Sequence, residues 1–543
     1  MFHFLESRQP TLTGISRREL FRWGSLLTLP ALFPAKLRAA AAAGMQKLRI
    51  GPDVYQSIGV RPLINARGTF TIISGSLMLP EVRSAMDEAA QHHVHLDELA
   101  EAIGARLAEL TKAEWGMVSS GCAAALTHAT AACVAGGNPD LHVRIPNLAG
   151  FPRDEVIIPK HSRNVYDAAV RAVGVRVIEV ETLEDLQNAL GPRTAMIYIL
   201  AGPQADKSPL NTRAIAQVAK QRGVPVLVDA AAEVLTVPNV HLENGATLVA
   251  YSGGKCLRGP QSAGLLLGRK DLVLAAWVES APHHGPGRAL KVGKEEAIGM
   301  LMAVEMWVRR DHQAEWNRWM AWLNHISGRV AEIETVKINI SEPEDLSNHT
   351  PSLHIRWDRA KLGISGRTLA RLLLEGEPRI ATPGGRDGPN GTESAISITP
   401  YMMSPGEEKA VADRIYTLLT DPPIREKEAE KKPPAADLSG QWDVQIEYAA
   451  GKSNHMLSLR QQGNRIEGIH HGDFVARDLS GSIDGDEVQM SSSYTERHGD
   501  SLMFTFTGKV SGDELSGVLD MGEYLTAKWS AGRHKFQRGP NAG

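Results

Sequence analysis

Between about residue 58 and residue 420, short apolar runs alternate with amphipathic stretches of helical period, and this alternation leaves little choice of fold. The runs EVIIP (155–159), RVIEV (176–180), AMIYIL (195–200), VPVLVDA (224–230) and TLVAYSG (247–253) are continuous and rich in β-branched residues. That is the pattern of strands buried on both faces. Between them, NVYDAAVRAVG (164–174), LEDLQNAL (183–190) and NTRAIAQVAKQRG (211–223) carry helical period, and the first and last close on a glycine. Strand–helix–strand alternation at this spacing predicts an α/β domain whose mainly parallel sheet has helices on both faces. Ligands of such sheets bind outside the carboxyl ends of the strands, so the residues just after each strand are the functional candidates.

The rest of the 543-residue chain divides around this domain. The stretch from Gly14 to Gly44 sets Arg17-Arg18 before a short apolar run and an alanine tract. This is the layout of a signal peptide, too short to span a bilayer, and Ser16-Arg17-Arg18-x-x-Phe21 resembles the twin-arginine export signal. Residues 1–43 are therefore set aside as a signal peptide, and the protein is expected to be periplasmic or otherwise exported, with no stable membrane anchor. The large domain is expected over 44–310, and a smaller α+β domain over 311–420. The charged, proline-punctuated DPPIREKEAEKKPPAAD (421–437) reads as a linker. From Leu438 to Gly543 the pattern changes to period two between Gly/Asp/Asn turns, with SGSIDGDEV (480–488) and TGKVSGDEL (507–515) as near copies. This predicts an all-β antiparallel meander or barrel of seven or eight strands, with His470 and His471 in a loop.

Net charge is −3 and aromatic content 5%, with no basic block, so no nucleic-acid partner is expected. The three cysteines, Cys122, Cys133 and Cys256, have neither metal-ligand spacing nor the number for a disulfide framework, and read as small buried residues.

The chemistry concentrates near YSGGKCLRGPQSAGLLLG (251–268), where Lys255 lies between a glycine pair and a buried-strand pattern. A desolvated lysine amine becomes a nucleophile toward carbonyls; a surface turn is the alternative. Asp229 ends the buried run VPVLVD, as a site acid or as a helix N-cap. WGMVSSGCAAAL (115–126) runs from a strand through Ser120-Gly121-Cys122 into an alanine-rich helix, an arrangement that serves either as a serine cap or as an anion site. Anion loop, acid and lysine follow one another in the order that pyridoxal phosphate requires. The helix start holds its phosphate, Asp229 its ring nitrogen and Lys255 its aldehyde as a Schiff base. Ala231 would leave room for the ring, and Ser252 could add a hydroxyl to the phosphate.

With RPLINARGTFT (61–71), the stretch 96–126, VPVLVDAAAE (224–233), SGGK…GPQSAGLLLGRKDL (252–272) and HHGPGRALKVGKEE (283–296), residues of about 58 to 415 resemble fold-type I pyridoxal-phosphate enzymes. The resemblance is to the selenocysteine synthase (seryl-tRNA selenium transferase) superfamily, and within it to the D-glucosaminate-6-phosphate ammonia-lyase branch. It implies Lys255 as the Schiff-base lysine, Asp229 as the ring-nitrogen partner, and Arg288, Lys291 and Lys294 as anion-binding cations. In PKHSRNVYDAA (159–169) it leaves the ring cover to His161 or Ser162. Ser76 stands where selenium transferases carry an arginine for the donor anion, which argues against selenium transfer. The expected reaction is elimination of water and ammonia from a hydroxy amino acid or amino-sugar acid to give a 2-oxo acid. Transamination or racemisation is the alternative, and a non-catalytic binding protein is less favoured. Arg379 and Arg386 are candidates for the substrate carboxylate. The resemblance also implies a homodimer or higher homo-oligomer.

Overall fold

The computed structural model describes residues 48–388, 392–424, 431–494 and 502–535. The proposed signal peptide and part of the linker lie outside them. The chain separates into two compact units, residues 1–63 and 64–543. In the first, the described residues include a 3-10 turn, Gln56–Ile58, tied by Ser57, whose hydroxyl donates to the Val54 carbonyl at 2.6 Å and accepts from the Arg49 N–H.

The second unit is built on a seven-stranded sheet. Its strands are β1 (Trp115–Ser119), β2 (Glu155–Pro159), β3 (Arg176–Val180), β4 (Thr194–Leu200), β5 (Val226–Asp229), β6 (Leu248–Ser252) and β7 (Gly264–Gly268), in the order β1-β7-β6-β5-β4-β2-β3. Strands β3, β2, β4, β5 and β6 are parallel, while β7 runs antiparallel to both β6 and β1. All five apolar runs are strands. RVIEV departs from the expected double burial because β3 is the sheet edge, with Arg176 exposed and Val177 to Glu179 half-buried. Successive side chains enter different cores: Val156 and Ile158 pack on one face of β2 and Ile157 on the other. One core surrounds helix α1 (Cys122–Ala135), in which every residue but Ala123 is buried, so its alanine-rich, all-round apolar sequence suits a central helix.

Helix α2 (Lys294–Arg309) leads to α3 (His312–Val330) and a four-stranded antiparallel sheet. Its strands are β8 (Lys337–Ser341), β9 (Ser352–Asp358), β10 (Gly385–Asp387) and β11 (Glu393–Ile398), covered by α4 (Gly366–Glu375) and α5 (Glu407–Thr420). Ile64–Asn65 pairs in parallel with Ile380–Ala381, which fastens the start of this unit to the smaller domain.

Residues 440–533 form a closed eight-stranded antiparallel barrel. In β12 (Gly440–Glu447), Trp442, Val444 and Ile446 alternate inward, the signature of a filled small barrel. His470 and His471 are not in a loop: both belong to β14 (Arg465–His471), which follows β13 (Lys452–Gln462). His470 is fully buried, its Nε2 lies 2.8 Å from His455 Nδ1 and its Nδ1 2.7 Å from Ser492 Oγ. Burial lowers its pKa to about 3, so it is a neutral member of an internal hydrogen-bond chain. Among the described residues no group of His, Cys, Asp and Glu is placed to hold a metal ion, and no helix is long and apolar enough to cross a membrane.

Candidate active site

Strand period decides which side chains meet at the carboxyl edge of the large sheet. Met196 and Tyr198 of β4, Leu227 of β5, and Leu248 and Ala250 of β6 all pack on the α1 face. The next residues in the same phase are Asp229 and Ser252, each the last of its strand. Asp229, Ser252 and the start of α1 therefore converge on one face at the strand ends, where a doubly wound sheet binds its ligand.

Asp229 is 2% exposed and caps no helix. Its carboxylate accepts from the Tyr198 O–H at 2.9 Å, the Ala231 N–H at 3.1 Å and the Cys122 thiol at 3.5 Å. Asn164 donates to Tyr198 Oη at 3.0 Å and to the Ser162 carbonyl at 2.8 Å, so the segment after β2 is wired to Asp229 through one phenol. Burial, with Asp229 alongside, holds the Tyr198 hydroxyl well above its ordinary pKa, and burial does the same to the Cys122 thiol. Both stay protonated donors. Burial also pushes the Asp229 carboxyl up, against the lowering pull of Tyr198, Ala231, Lys255 and Cys122. A buried carboxylate whose hydrogen bonds among the described residues all come from neutral donors is matched by a cation. The protonated ring nitrogen of pyridoxal phosphate is such a cation.

The candidate anion site is a cradle that depends on missing side chains. Gly121 caps α1 at φ 91°, a conformation that favours glycine, and a Cβ there would meet nothing within 4 Å. The first N–H groups of a helix lack intrahelical partners, so this open mouth presents donors and the positive end of the helix dipole. Gly264 pairs with Ser119 on one side and Ser252 on the other. A Cβ on Gly264 would lie 2.3 Å from the Gly121 carbonyl carbon and 2.5 Å from the Cys122 nitrogen, so only glycine lets the helix start rest on β7 beside Ser252. Ser120 Oγ donates to the Leu290 carbonyl at 2.8 Å, which brings the turn Arg288–Leu290 to the edge of the cradle. Arg288 and Lys291 are exposed there. Lys294 is occupied by the Ala89 carbonyl at 2.9 Å and by Glu295.

Lys255 follows β6 by three residues and is half-buried. Its glycine neighbours answer to packing: a Cβ on Gly253 would lie 2.7 Å from the Ala263 oxygen, and one on Gly254 2.9 Å from Gln261 Cα. The loop is closed by Arg258 N–H to Lys255 O at 3.0 Å and Gly259 N–H to Gly253 O at 2.9 Å. Ser76 lies beside it, its N–H on the Gly254 carbonyl at 3.1 Å and its buried hydroxyl without a partner among the described residues. In the turn Lys160–Ser162 after β2, His161 Nε2 and Ser162 Oγ are buried without partners among the described residues, and burial lowers the His161 pKa. Arg163, next in sequence, is held by Asp167 and Glu179. Arg379 and Arg386 are not among the residues lining the cavity that Lys255 borders. The guanidinium groups that do line it, Arg258, Arg310 and Arg318, were not singled out from sequence; nor was Tyr198. Arg310 and Arg318 belong to VRRDHQAEWNRWMAWLN (308–324), whose interleaved arginines and tryptophans were the available signal.

The fold and this donor set define a pyridoxal-phosphate-dependent enzyme of fold type I. Residues 159–291 match the class V aminotransferase family. The chain is 30% identical over 378 residues to a 5'-C-glycyluridine monooxygenase-decarboxylase of Streptomyces sp, covering 68% of this chain and 92% of that one. It is 29% identical over 338 residues to a D-glucosaminate-6-phosphate ammonia lyase of Salmonella typhimurium, covering 61% and 89%. A solved D-glucosaminate-6-phosphate ammonia-lyase structure superposes with TM-score 0.60 at 26% identity, over 68% of this chain and 99% of that one. The chain belongs to the pyridoxal-phosphate enzyme family that contains these proteins and the L-seryl-tRNA(Sec) selenium transferases.

Proposed function

We propose that the protein is an ammonia-lyase that converts an amino-sugar acid, or a hydroxy amino acid of similar shape, to a 2-oxo acid and ammonia. The observation that carries this reading is the convergence of Lys255, Asp229 and the α1 cradle at one sheet edge, in a family with lyase members. The D-glucosaminate-6-phosphate ammonia lyase and the 5'-C-glycyluridine monooxygenase-decarboxylase are both named for an amino acid unit joined to a sugar framework, which supports that substrate class.

Pyridoxal phosphate, when bound, supplies an electron sink for the substrate's α-carbon. Asp229 would hold its ring nitrogen, the Ser120-Gly121-Cys122 cradle and Ser252 its phosphate, and Lys255 its aldehyde carbon. Tyr198 and the Ala231 N–H fix the Asp229 carboxylate, so the charge facing the ring does not wander. Lys255 Nζ takes the α-proton and passes a proton to the departing β-hydroxyl, which leaves as water. The enamine released from the site tautomerises and is hydrolysed to the 2-oxo acid and ammonia. One substrate therefore gives one 2-oxo acid and one ammonia, since the water expelled equals the water consumed.

The reading extends to assembly and location. A homo-oligomer is proposed on family grounds, and export by the twin-arginine route on the Ser16–Phe21 pattern. Export would favour a substrate without a phosphate group. The test is direct: full-length protein loaded with pyridoxal phosphate and given D-glucosaminate should release 2-oxo acid and ammonia in equal amounts. Lys255→Ala should abolish both. Product formed only when an amino acceptor is added would replace the lyase reading with transamination.

A further inference from the structure

Lys255 borders a cavity of about 500 Å³ between the large and small domains. Four cationic side chains line it, Lys255, Arg258, Arg310 and Arg318, against one carboxylate, Glu315. Such an excess of positive charge at a reactive amine favours an anionic ligand. Arg310 is built in rather than left at the surface. Its side chain is 9% exposed, one Nη donates to the Cys256 carbonyl at 3.0 Å, the other lies 3.6 Å from Glu315, and its buried Nε–H has no partner among the described residues. Arg258 adopts a left-handed backbone at φ 56° without being glycine. Its Nε is fixed on the Leu77 carbonyl at 2.9 Å. Burial lowers the pKa of both guanidinium groups, a cost that a bound anion offsets. The lining is also aromatic: Trp316 stacks at a tilt on His349, and Trp319 meets Tyr401 edge-on. Tryptophan faces take the C–H side of a polyhydroxylated chain while its hydroxyls stay with polar groups or water.

We propose that Arg258 and Arg310 form a subsite for an anionic group of the substrate, carboxylate or phosphate, with the tryptophan wall holding its polyol chain. The proposal rests on the reading of Lys255 as the reacting amine, and it assigns the cavity's charge to substrate selection.

Gluconate, sorbitol 6-phosphate and sorbitol share the polyol chain but carry a carboxylate, a phosphate and no charge; none has an amine to react at Lys255. Their binding to full-length, cofactor-loaded protein is read from tryptophan fluorescence. At least one anion should bind ten times or more tighter than sorbitol, and which one does so identifies the group held. Arg258→Gln and Arg310→Gln should each weaken that anion about tenfold or more while the visible cofactor absorbance is retained. Arg310→Lys, which keeps the charge without the fork, should recover part of the loss. Equal binding of all three ligands, no binding of either anion, or undiminished anion binding by the glutamine variants overturns the subsite. Anion binding as expected, with no 2-oxo acid from D-glucosaminate, overturns the reaction reading and leaves the subsite standing.

Discussion

Gly264→Ala tests the cradle with the smallest possible change. The added Cβ would sit 2.3 Å from the Gly121 carbonyl carbon and 2.5 Å from both the Gly121 oxygen and the Cys122 nitrogen, where ordinary contact begins at 3.4 Å. All three neighbours are backbone, so relief requires the start of α1 to move from β7 by about 1 Å, against a close-packed interior. A hydrogen bond of about 2.9 Å opened by that much is no longer one. Two charge-assisted bonds to the cofactor phosphate, each worth about 1.5–3 kcal/mol, would be lost together. The expected cost is about 3–6 kcal/mol, at least a hundredfold in the dissociation constant of pyridoxal phosphate. Gly121→Ala is the graded control. It meets no protein atom within 4 Å and bears the strain of φ 91° and ψ 163°, a region essentially restricted to glycine, about 1–3 kcal/mol or roughly tenfold. Absorbance titration of the cofactor-free protein gives both constants, and far-ultraviolet circular dichroism checks the fold. A Gly264→Ala protein that is folded and binds the cofactor within threefold of wild type refutes the cradle.

Tyr198→Phe removes the 2.9 Å donor that orients Asp229 and should lower cofactor affinity roughly tenfold or more; an unchanged constant would show that the phenol does not position the acid. Glu279 is fully buried, its carboxylate oxygens have no hydrogen-bond partner among the described residues, with His142 Nδ1 at 3.7 Å, and burial pushes its pKa up to about 7 from an ordinary 4.5. Its neutral form is the one the fold accommodates, so its contribution is complete below about 4.5 and is lost as pH rises through about 7. Glu279→Gln should therefore match wild type in melting temperature at pH 5 and exceed it at pH 8. Parallel curves would contradict this.

A sequence is most legible where one residue breaks a strong pattern. Asp229 ends an otherwise apolar run and Lys255 interrupts a glycine-rich turn before another, so both were visible one segment at a time. The residues that complete the site were hidden because they meet only in three dimensions. Tyr198 reaches Asp229 from a neighbouring strand, and Asn164 reaches Tyr198 from the segment after β2. Within AMIYIL the tyrosine reads as one more apolar residue, although its phase with Met196 already placed it on the α1 face. Arg258 lay inside the motif that carried Lys255, but its left-handed backbone and its place on the cavity wall follow from the loop's closure, not from its type. His470 was recoverable: Ile466, Gly468 and His470 share one phase of β14, and Ile466 is buried in the barrel core. Counting phase along that run would have put the histidine inside.

The account stands or falls on the amine at position 255. Full-length protein incubated with pyridoxal phosphate, reduced with borohydride and digested should yield a single pyridoxyl-phosphate adduct by mass spectrometry, on Lys255. The visible absorbance of the bound cofactor should be missing from Lys255→Ala. An unlabelled Lys255 in a folded protein, or an adduct confined to other lysines, would contradict it.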